Sequence, residues 1–101
     1  LSETRGIRRA FGPAADRLVV TSTKSMIGHL VAACGAVEAI VTLQSLRDGV
    51  VHGTRNLEQP DPDCDLDYAP GASRPLPELR AALSNAFGFG GSNATLALGR
   101  A

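Results

Sequence analysis

The sequence has no excess of either charge, since ten Lys and Arg residues balance ten Asp and Glu residues over 101 positions. This balance disfavours nucleic acid and anionic membrane as partners. Two cysteines are too few for a disulfide framework, and they show no C-x-x-C metal spacing. The most apolar stretch, residues 27–43, is interrupted by His29, Glu38 and Thr42, so it falls short of a membrane span.

The amino terminus, LSETR, shows no basic cluster followed by an apolar run, so no signal peptide is predicted. A cytoplasmic, reducing setting is therefore the expectation. The first residue is Leu1 rather than Met, which indicates a fragment or a processed product. We expect residues 1–101 to form one domain or a piece of one.

The hydrophobic pattern predicts an α/β unit with a mixed sheet and a buried central helix. Helices are expected over residues 3–10 and 28–47, and strands over residues 18–23, 66–68, 80–85 and 93–98. Prolines make a loop of residues 53–77, in which the strand at 66–68 is a short edge strand. Arg5, Arg8 and Arg9 share one face of the first helix, which is either solvated or a docking patch for an acidic partner.

The central helix is apolar almost all round, which is typical of a helix inside a protein. The rest of the chain offers one short amphipathic helix to cover it. Exposed apolar surface on this scale indicates a partner, and we expect the missing cover to be more of the same protein.

Two segments carry residues suited to chemistry. The first is STKSMIGHL, residues 22–30, where Lys24 and His29 follow a predicted strand. A neutral imidazole there can donate a hydrogen bond to a carbonyl oxygen that gains charge, and an ammonium adds positive potential. A lone histidine at a helix start is also typical of a structural residue.

The second segment is NAFGFGGSN, residues 85–93. Its glycines Gly88, Gly90 and Gly91 permit positive φ and close approach of the backbone to a ligand. Backbone N–H groups in such a turn suit an oxyanion hole, and Phe89 between glycines suits a lid. The alternative is a flexible hairpin loop; a nucleotide loop is disfavoured because no Gly-Lys-Ser/Thr ending follows.

Together these segments resemble the β-ketoacyl-acyl-carrier-protein synthases, the condensing enzymes of elongating type. Shorter matches support the resemblance: ETR at 3–5, AFG at 10–12, GAVEA at 35–39, NL at 56–57, PD at 60–61 and CDLD at 64–67. The resemblance implies the C-terminal half of a thiolase-like fold. It also implies a decarboxylative Claisen condensation of an acyl thioester with malonyl-acyl carrier protein, without cofactor or metal, in an enzyme that is a dimer when complete.

The resemblance assigns roles by position. His29 would hydrogen-bond the malonyl thioester oxygen, and Lys24 would support the site electrostatically. Phe89 would gate the substrate and offer its backbone N–H to the oxyanion, flanked by Gly88 and Gly90. The residues that match positions beside the site are Glu38 and Asn93. A continuous helix from residue 28 would point Glu38 away from His29, so a structural role is expected for it.

The family's nucleophilic cysteine and first histidine lie upstream of Leu1, so the isolated chain is expected to be inactive. Cys34 in the buried helix and Cys64 in the acidic loop are expected to be inert. His52, although followed by Gly-Thr like the family's first histidine, is interpreted as a surface loop residue.

Four alternating aspartates, residues 61 to 67, suggest calcium. The EF-hand pattern fails, because Leu66 and Ala72 stand where Gly and Glu are needed. Two other functions stay open: a non-catalytic partner subunit of a condensing-enzyme heterodimer, which would not need Lys24 and His29, and a small independent binding module.

Overall fold

The computed structural model describes residues 1–101, apart from the side chain of Phe89. Its helices are α1 (Ser2–Phe11), α2 (Lys24–Ile27) and α3 (Cys34–Asp48). Its strands are β1 (Val50–Val51), β2 (Arg74–Pro75), β3 (Ala81–Phe87) and β4 (Asn93–Gly99). Short 3-10 turns cover Gly12–Arg17, Val31–Ala33 and Phe89–Gly91.

Helix α1 confirms the first predicted helix. Glu3 lies in its first turn, and Arg8 and Arg9 lie in its last. Negative charge at the amino end and positive charge at the carboxyl end both interact favourably with the helix dipole. The helix ends at Gly12, whose φ of 54° suits glycine. Thr4 is buried, and its hydroxyl forms a hydrogen bond with the Tyr68 hydroxyl, which ties α1 to the later loop.

Arg8 is not part of a solvated face, because it lies half-buried between Asp16 and Asp65. Its Nη2 is 3.0 Å from Asp65 Oδ2, and its Nε donates to Asp65 Oδ1 at 3.1 Å. Hydrogen bonds to the two carboxylates raise the pKa of Arg8, and the hydrogen bond from Arg8 lowers the pKa of Asp65. Arg5 and Arg9 remain exposed.

Helix α3 begins at Cys34, six residues later than predicted. Gly28 has a φ of 74° and Val31 a φ of 52°, and a helix cannot continue through either conformation. At its other end α3 closes at Gly49 in the left-handed conformation, whose N–H donates to the Ser45 carbonyl at 2.9 Å. The carboxyl end of the helix was therefore predicted well and its start was not.

In the chain by itself this helix is only partly covered, as the shortage of covering elements in the sequence predicted. Leu46 is buried, but Ile40 is 56% exposed and Leu43 is 51% exposed. Helix α3 packs against β3 and β4 on one side, and the chain does not cover its other side. No helix in the described part of the chain is long and apolar enough to cross a membrane.

Strands β3 and β4 confirm the two predicted closing strands. They form an antiparallel pair whose register runs from Ala81 opposite Gly99 to Phe87 opposite Asn93. The glycine-rich turn of the second segment joins them. A second small sheet, β1 with β2, pairs Val51 with Arg74 and was not foreseen.

The strand predicted over residues 18–23 is wrong, because that segment makes a single parallel bridge, between Val19 and Asp67. The Val20 N–H donates to the Asp67 carbonyl at 2.8 Å. The predicted edge strand at 66–68 is the other half of this bridge. A strand needs backbone hydrogen bonds to a partner along its length. In the described part of the chain, the loop of residues 53–77 offers this segment only Asp67 as a bridge partner.

Asp67 also holds the loop together through its side chain, which accepts from the Ala69 N–H at 3.0 Å and pairs with Arg74. Partial burial acts to raise the pKa of Asp67. The hydrogen bonds from Arg74 and Ala69 and the attraction of Arg74 outweigh that effect and lower the pKa below its ordinary value.

This shift predicts a loss of stability in acid. The stabilisation by Asp67 is complete above about pH 4, the ordinary pKa of an unfolded aspartate. It is lost as pH falls through the lower folded-state pKa. In the complete protein, Asp67→Asn should therefore flatten the fall in unfolding temperature between about pH 5 and pH 2, measured by calorimetry. Asp63→Asn, an exposed control, should keep the wild-type profile; an unchanged profile in Asp67→Asn would contradict this account.

Candidate active site

The STKSMIGHL segment folds as a short turn of helix followed by an irregular loop. Helix α2 spans Lys24–Ile27, and Gly28 closes it with its N–H donating to the Lys24 carbonyl at 3.1 Å. His29 and Leu30 then lie outside regular structure before the 3-10 turn that leads into α3. A four-residue helix has little stability of its own, so contacts with the rest of the chain hold it in place.

Lys24 is paired with Glu38. The Lys24 Nζ and a Glu38 carboxylate oxygen form an ion pair, with 40% of the lysine side chain and 16% of the glutamate side chain exposed. A continuous helix from residue 28 would have pointed Glu38 away from His29. Because α3 starts at Cys34, no such helix joins the two residues, and the glutamate in the second turn of α3 reaches the lysine of α2.

The hydrogen bonds of His29 define its tautomer. The Val31 N–H donates to His29 Nδ1 at 2.9 Å, so Nδ1 is an acceptor and the proton of a neutral ring lies on Nε2. The side chain is exposed in this chain. The geometry therefore leaves Nε2–H as the donor that can reach a ligand.

Cys34 contacts the same imidazole. Its Sγ accepts a hydrogen bond from the Leu30 N–H at 3.1 Å and lies 3.4 Å from His29 Nδ1. The sequence predicted a small-residue position within a buried helix, whereas Cys34 is half-buried and is the first residue of α3. The inertness expected of Cys34 and of Cys64 stays a prediction.

The glycine-rich turn joins β3 to β4. Gly90 and Gly91 have φ of 79° and 81°, a conformation that suits glycine. The Gly88 N–H donates to the Ser92 carbonyl at 2.9 Å, so it is engaged within the turn. The roles of Gly88 and Gly90 beside Phe89 stay predictions. Asn93 opens β4 opposite Phe87 and is exposed.

The gating role expected of Phe89 concerns a side chain that lies outside the described part of the structure. What links the two segments is α3: its first residue contacts His29, and its body packs against β3 and β4, which flank the turn. Two described cavities, of about 180 Å³ and 370 Å³, are lined by other residues, so a cavity shared by His29 and Phe89 stays a prediction.

The contacts of two hydroxyl groups were missed by sequence reasoning. His52 lies in a loop, as interpreted from the sequence, but it is half-buried, and the Thr21 hydroxyl donates to its carbonyl at 3.0 Å. The Arg55 N–H donates to the Ser25 hydroxyl at 3.1 Å. No local pattern links residues about 30 positions apart, so no signal in one sequence could have identified these pairs.

The aspartates of the acidic loop serve the fold. Asp61 accepts a hydrogen bond from the Asp63 N–H at 2.9 Å, while Asp65 pairs with Arg8 and Asp67 with Arg74. No group of three or more His, Cys, Asp or Glu residues in the described part of the chain is arranged to hold a metal ion.

Comparison with known families decides the assignment. Residues 1–58 match the model of the beta-ketoacyl synthase C-terminal domain. The chain belongs to the β-ketoacyl synthase family. This confirms the resemblance inferred from the STKSMIGHL and NAFGFGGSN segments.

Curated relatives agree along nearly the whole chain. The 3-oxoacyl-[acyl-carrier-protein] synthase 2 of Synechocystis is 53% identical over 97 residues, which are 96% of this chain and 23% of the relative. That of Coxiella burnetii is 46% identical over 98 residues, 97% of this chain and 23% of the relative. The chain thus spans about a quarter of the length of these relatives and corresponds to the C-terminal part of a β-ketoacyl synthase.

A solved structure confirms the fold. The chain is similar to a ketosynthase from a complex described as a type II polyketide synthase acyl-carrier protein with its ketosynthase bound to the hexaketide. The TM-score is 0.93 at 34% identity, covering 98% of this chain and 24% of that one. This synthase segment therefore has the thiolase-like fold, as the sequence predicted.

The Lys24–Glu38 pair of this β-ketoacyl synthase segment is testable by a double-mutant cycle in the complete protein. Lys24→Met leaves a mostly buried carboxylate without its cation and should lower the free energy of unfolding by about 1 kcal/mol. Adding Glu38→Gln should recover part of that loss, giving a coupling measurable by denaturant titration. Strictly additive effects would show that the two side chains do not interact.

Proposed function

We propose that this chain supplies the decarboxylation half of the active site of a β-ketoacyl synthase. The complete enzyme would join an acyl thioester to malonyl-acyl carrier protein by decarboxylative Claisen condensation, in fatty acid or polyketide synthesis. The observation that carries the proposal is the hydrogen bond from the Val31 N–H to His29 Nδ1, which leaves the proton on Nε2.

His29 acts on the malonyl thioester. As the carboxylate leaves as carbon dioxide, the electron pair of the broken C–C bond forms an enolate whose charge lies on the thioester oxygen. Nε2–H donates a hydrogen bond to that oxygen. A neutral donor held in place before the reaction stabilises this charge without reorganising.

The enolate carbon then attacks the carbonyl carbon of an acyl group carried by a cysteine thioester. A C–C bond forms, the C–S bond breaks, and the cysteine leaves as a thiolate. We assign this cysteine and the family's first histidine to the upstream part of the synthase. Backbone N–H groups of the glycine-rich turn would hold the oxyanion, and the resemblance gives this role to the Phe89 N–H. The Gly88 N–H is already engaged by the Ser92 carbonyl.

Lys24 contributes mainly by position in this proposal. Its ammonium is already paired with Glu38, so most of its charge is compensated. The pair joins α2 to α3, the two helices on either side of His29. Glu38 is thus a supporting residue, and Asn93, exposed where β4 begins, would support the other end of the turn.

The upstream part of the synthase would also cover the apolar side of α3, where Ile40 and Leu43 are about half exposed. An independent binding module would not leave this surface open. The acyl carrier protein is the proposed partner, supported by the related ketosynthase that was solved with one. We expect the complete enzyme to be a dimer that needs no cofactor.

Replacing His29 in the complete synthase tests the proposal. His29→Ala should lower the rate of malonyl decarboxylation, followed as carbon dioxide release, by about 100-fold or more. Acylation of the upstream cysteine should be retained, as measured by intact mass. His52→Gln, at the other histidine, should behave like wild type in both assays. Full decarboxylation by His29→Ala would favour the non-catalytic partner subunit instead.

The cysteines of this segment are not the nucleophile under this proposal. A complete synthase carrying both Cys34→Ala and Cys64→Ala should still gain the mass of one acyl group from an acyl thioester, because neither thiol attacks the substrate. Peptide mapping should find that group upstream of residue 1. An acyl group on Cys34 or Cys64 in the wild-type enzyme during turnover would contradict the assignment.

A further inference from the structure

The turn that carries Lys24 is attached to the rest of the chain by side-chain hydroxyls. The predicted strand before it makes one bridge, so a ladder of backbone hydrogen bonds does not hold it. The Thr21 hydroxyl donates to the His52 carbonyl at 3.0 Å. Four residues later, the Ser25 hydroxyl meets the Arg55 N–H.

Ser25 uses both functions of its hydroxyl. The oxygen accepts from the Arg55 N–H at 3.1 Å, and the O–H donates to the Ser22 carbonyl at 3.2 Å. The side chain is half-buried. It therefore closes the turn on itself and ties that turn to a segment 30 residues away.

The loop segment before Arg55, whose N–H donates this hydrogen bond, is held by further backbone contacts. The Thr54 N–H donates to the Ala69 carbonyl at 2.7 Å, and the Gly71 N–H donates to the Thr54 carbonyl at 3.2 Å. A Cβ added at Gly53 would lie 2.0 Å from the Gly71 carbonyl oxygen, so the backbone at Gly53 and the backbone at Gly71 are in close contact. Arg55 follows directly and offers its N–H from a fixed position.

We propose that Ser25 is a positioning residue for Lys24 and His29, an inference that rests on the function proposed above. Ser25 lies next to Lys24 in α2, and His29 is the second residue after the end of that helix. A helix of four residues cannot resist displacement alone. Without the hydroxyl, the Arg55 N–H loses its acceptor and the turn loses the one of its two ties to the anchored loop that lies within α2.

The effect should fall on the step that His29 serves. Misplacing a catalytic group by about 1 Å costs up to about 100-fold in rate. Ser25→Ala in the complete synthase should lower kcat for malonyl decarboxylation about tenfold, while acylation of the upstream cysteine changes less than about twofold. Ser25→Thr, which keeps the hydroxyl, should restore most of the rate.

The control is Ser45→Ala, which removes an equally half-buried hydroxyl from α3 and should leave both rates at the wild-type level. Ser25→Cys keeps the branching of the side chain but offers a weak acceptor, so its decarboxylation rate should lie between those of wild type and Ser25→Ala. If Ser25→Ala does not fold, Ser25→Cys carries the test.

Wild-type decarboxylation in Ser25→Ala or Ser25→Cys, alongside its loss in His29→Ala, would overturn the role of Ser25 and leave the proposed function standing. An equal fall in acylation and decarboxylation would overturn it too, because a general structural defect affects both. Retained decarboxylation in His29→Ala would instead remove the proposed function.

Discussion

The burial of helix α3 is the constraint on which the rest of this structure depends. Its own apolar side chains lie on almost every face of the helix, so other elements must cover it on more than one side. The β3–β4 pair covers one side, and large aliphatic side chains such as Ile40 and Leu43 stay open on the other. Among the described residues, the buried apolar ones are Ala15, Leu46, Val51 and Ala69, and two of these are alanines. A segment that spans about a quarter of its relatives thus has a thiolase-like fold without a complete core of its own.

The candidate active site lies in the irregular segment just before that helix. Positive φ at Gly28 and Val31 keeps residues 28–30 out of the helix and places His29 on irregular backbone. Backbone N–H groups freed in this way need other acceptors. His29 Nδ1 and Cys34 Sγ provide them, so the loop conformation and the tautomer of the imidazole are determined by the same hydrogen bonds.

Three tertiary contacts then hold the segment that leads into this loop. The Lys24–Glu38 pair joins it to α3, while hydroxyls of Thr21 and Ser25 join it to the loop after β1. Each contact is a single interaction of modest strength. Their convergence on one short segment gives a one-turn helix a defined position, which chemistry at His29 would require.

The sequence by itself determined the family, the first helix, the β3–β4 hairpin and the end of α3 at Gly49, because motifs, caps and glycine turns act over a few neighbouring residues. The tertiary structure alone decided that residues 18–23 do not form a strand, that α3 starts at Cys34, and that Glu38 meets Lys24. Those outcomes depend on which segments pack together. Hydrogen bonds and ion pairs between residues 14 to 31 positions apart leave no periodic trace in a single chain.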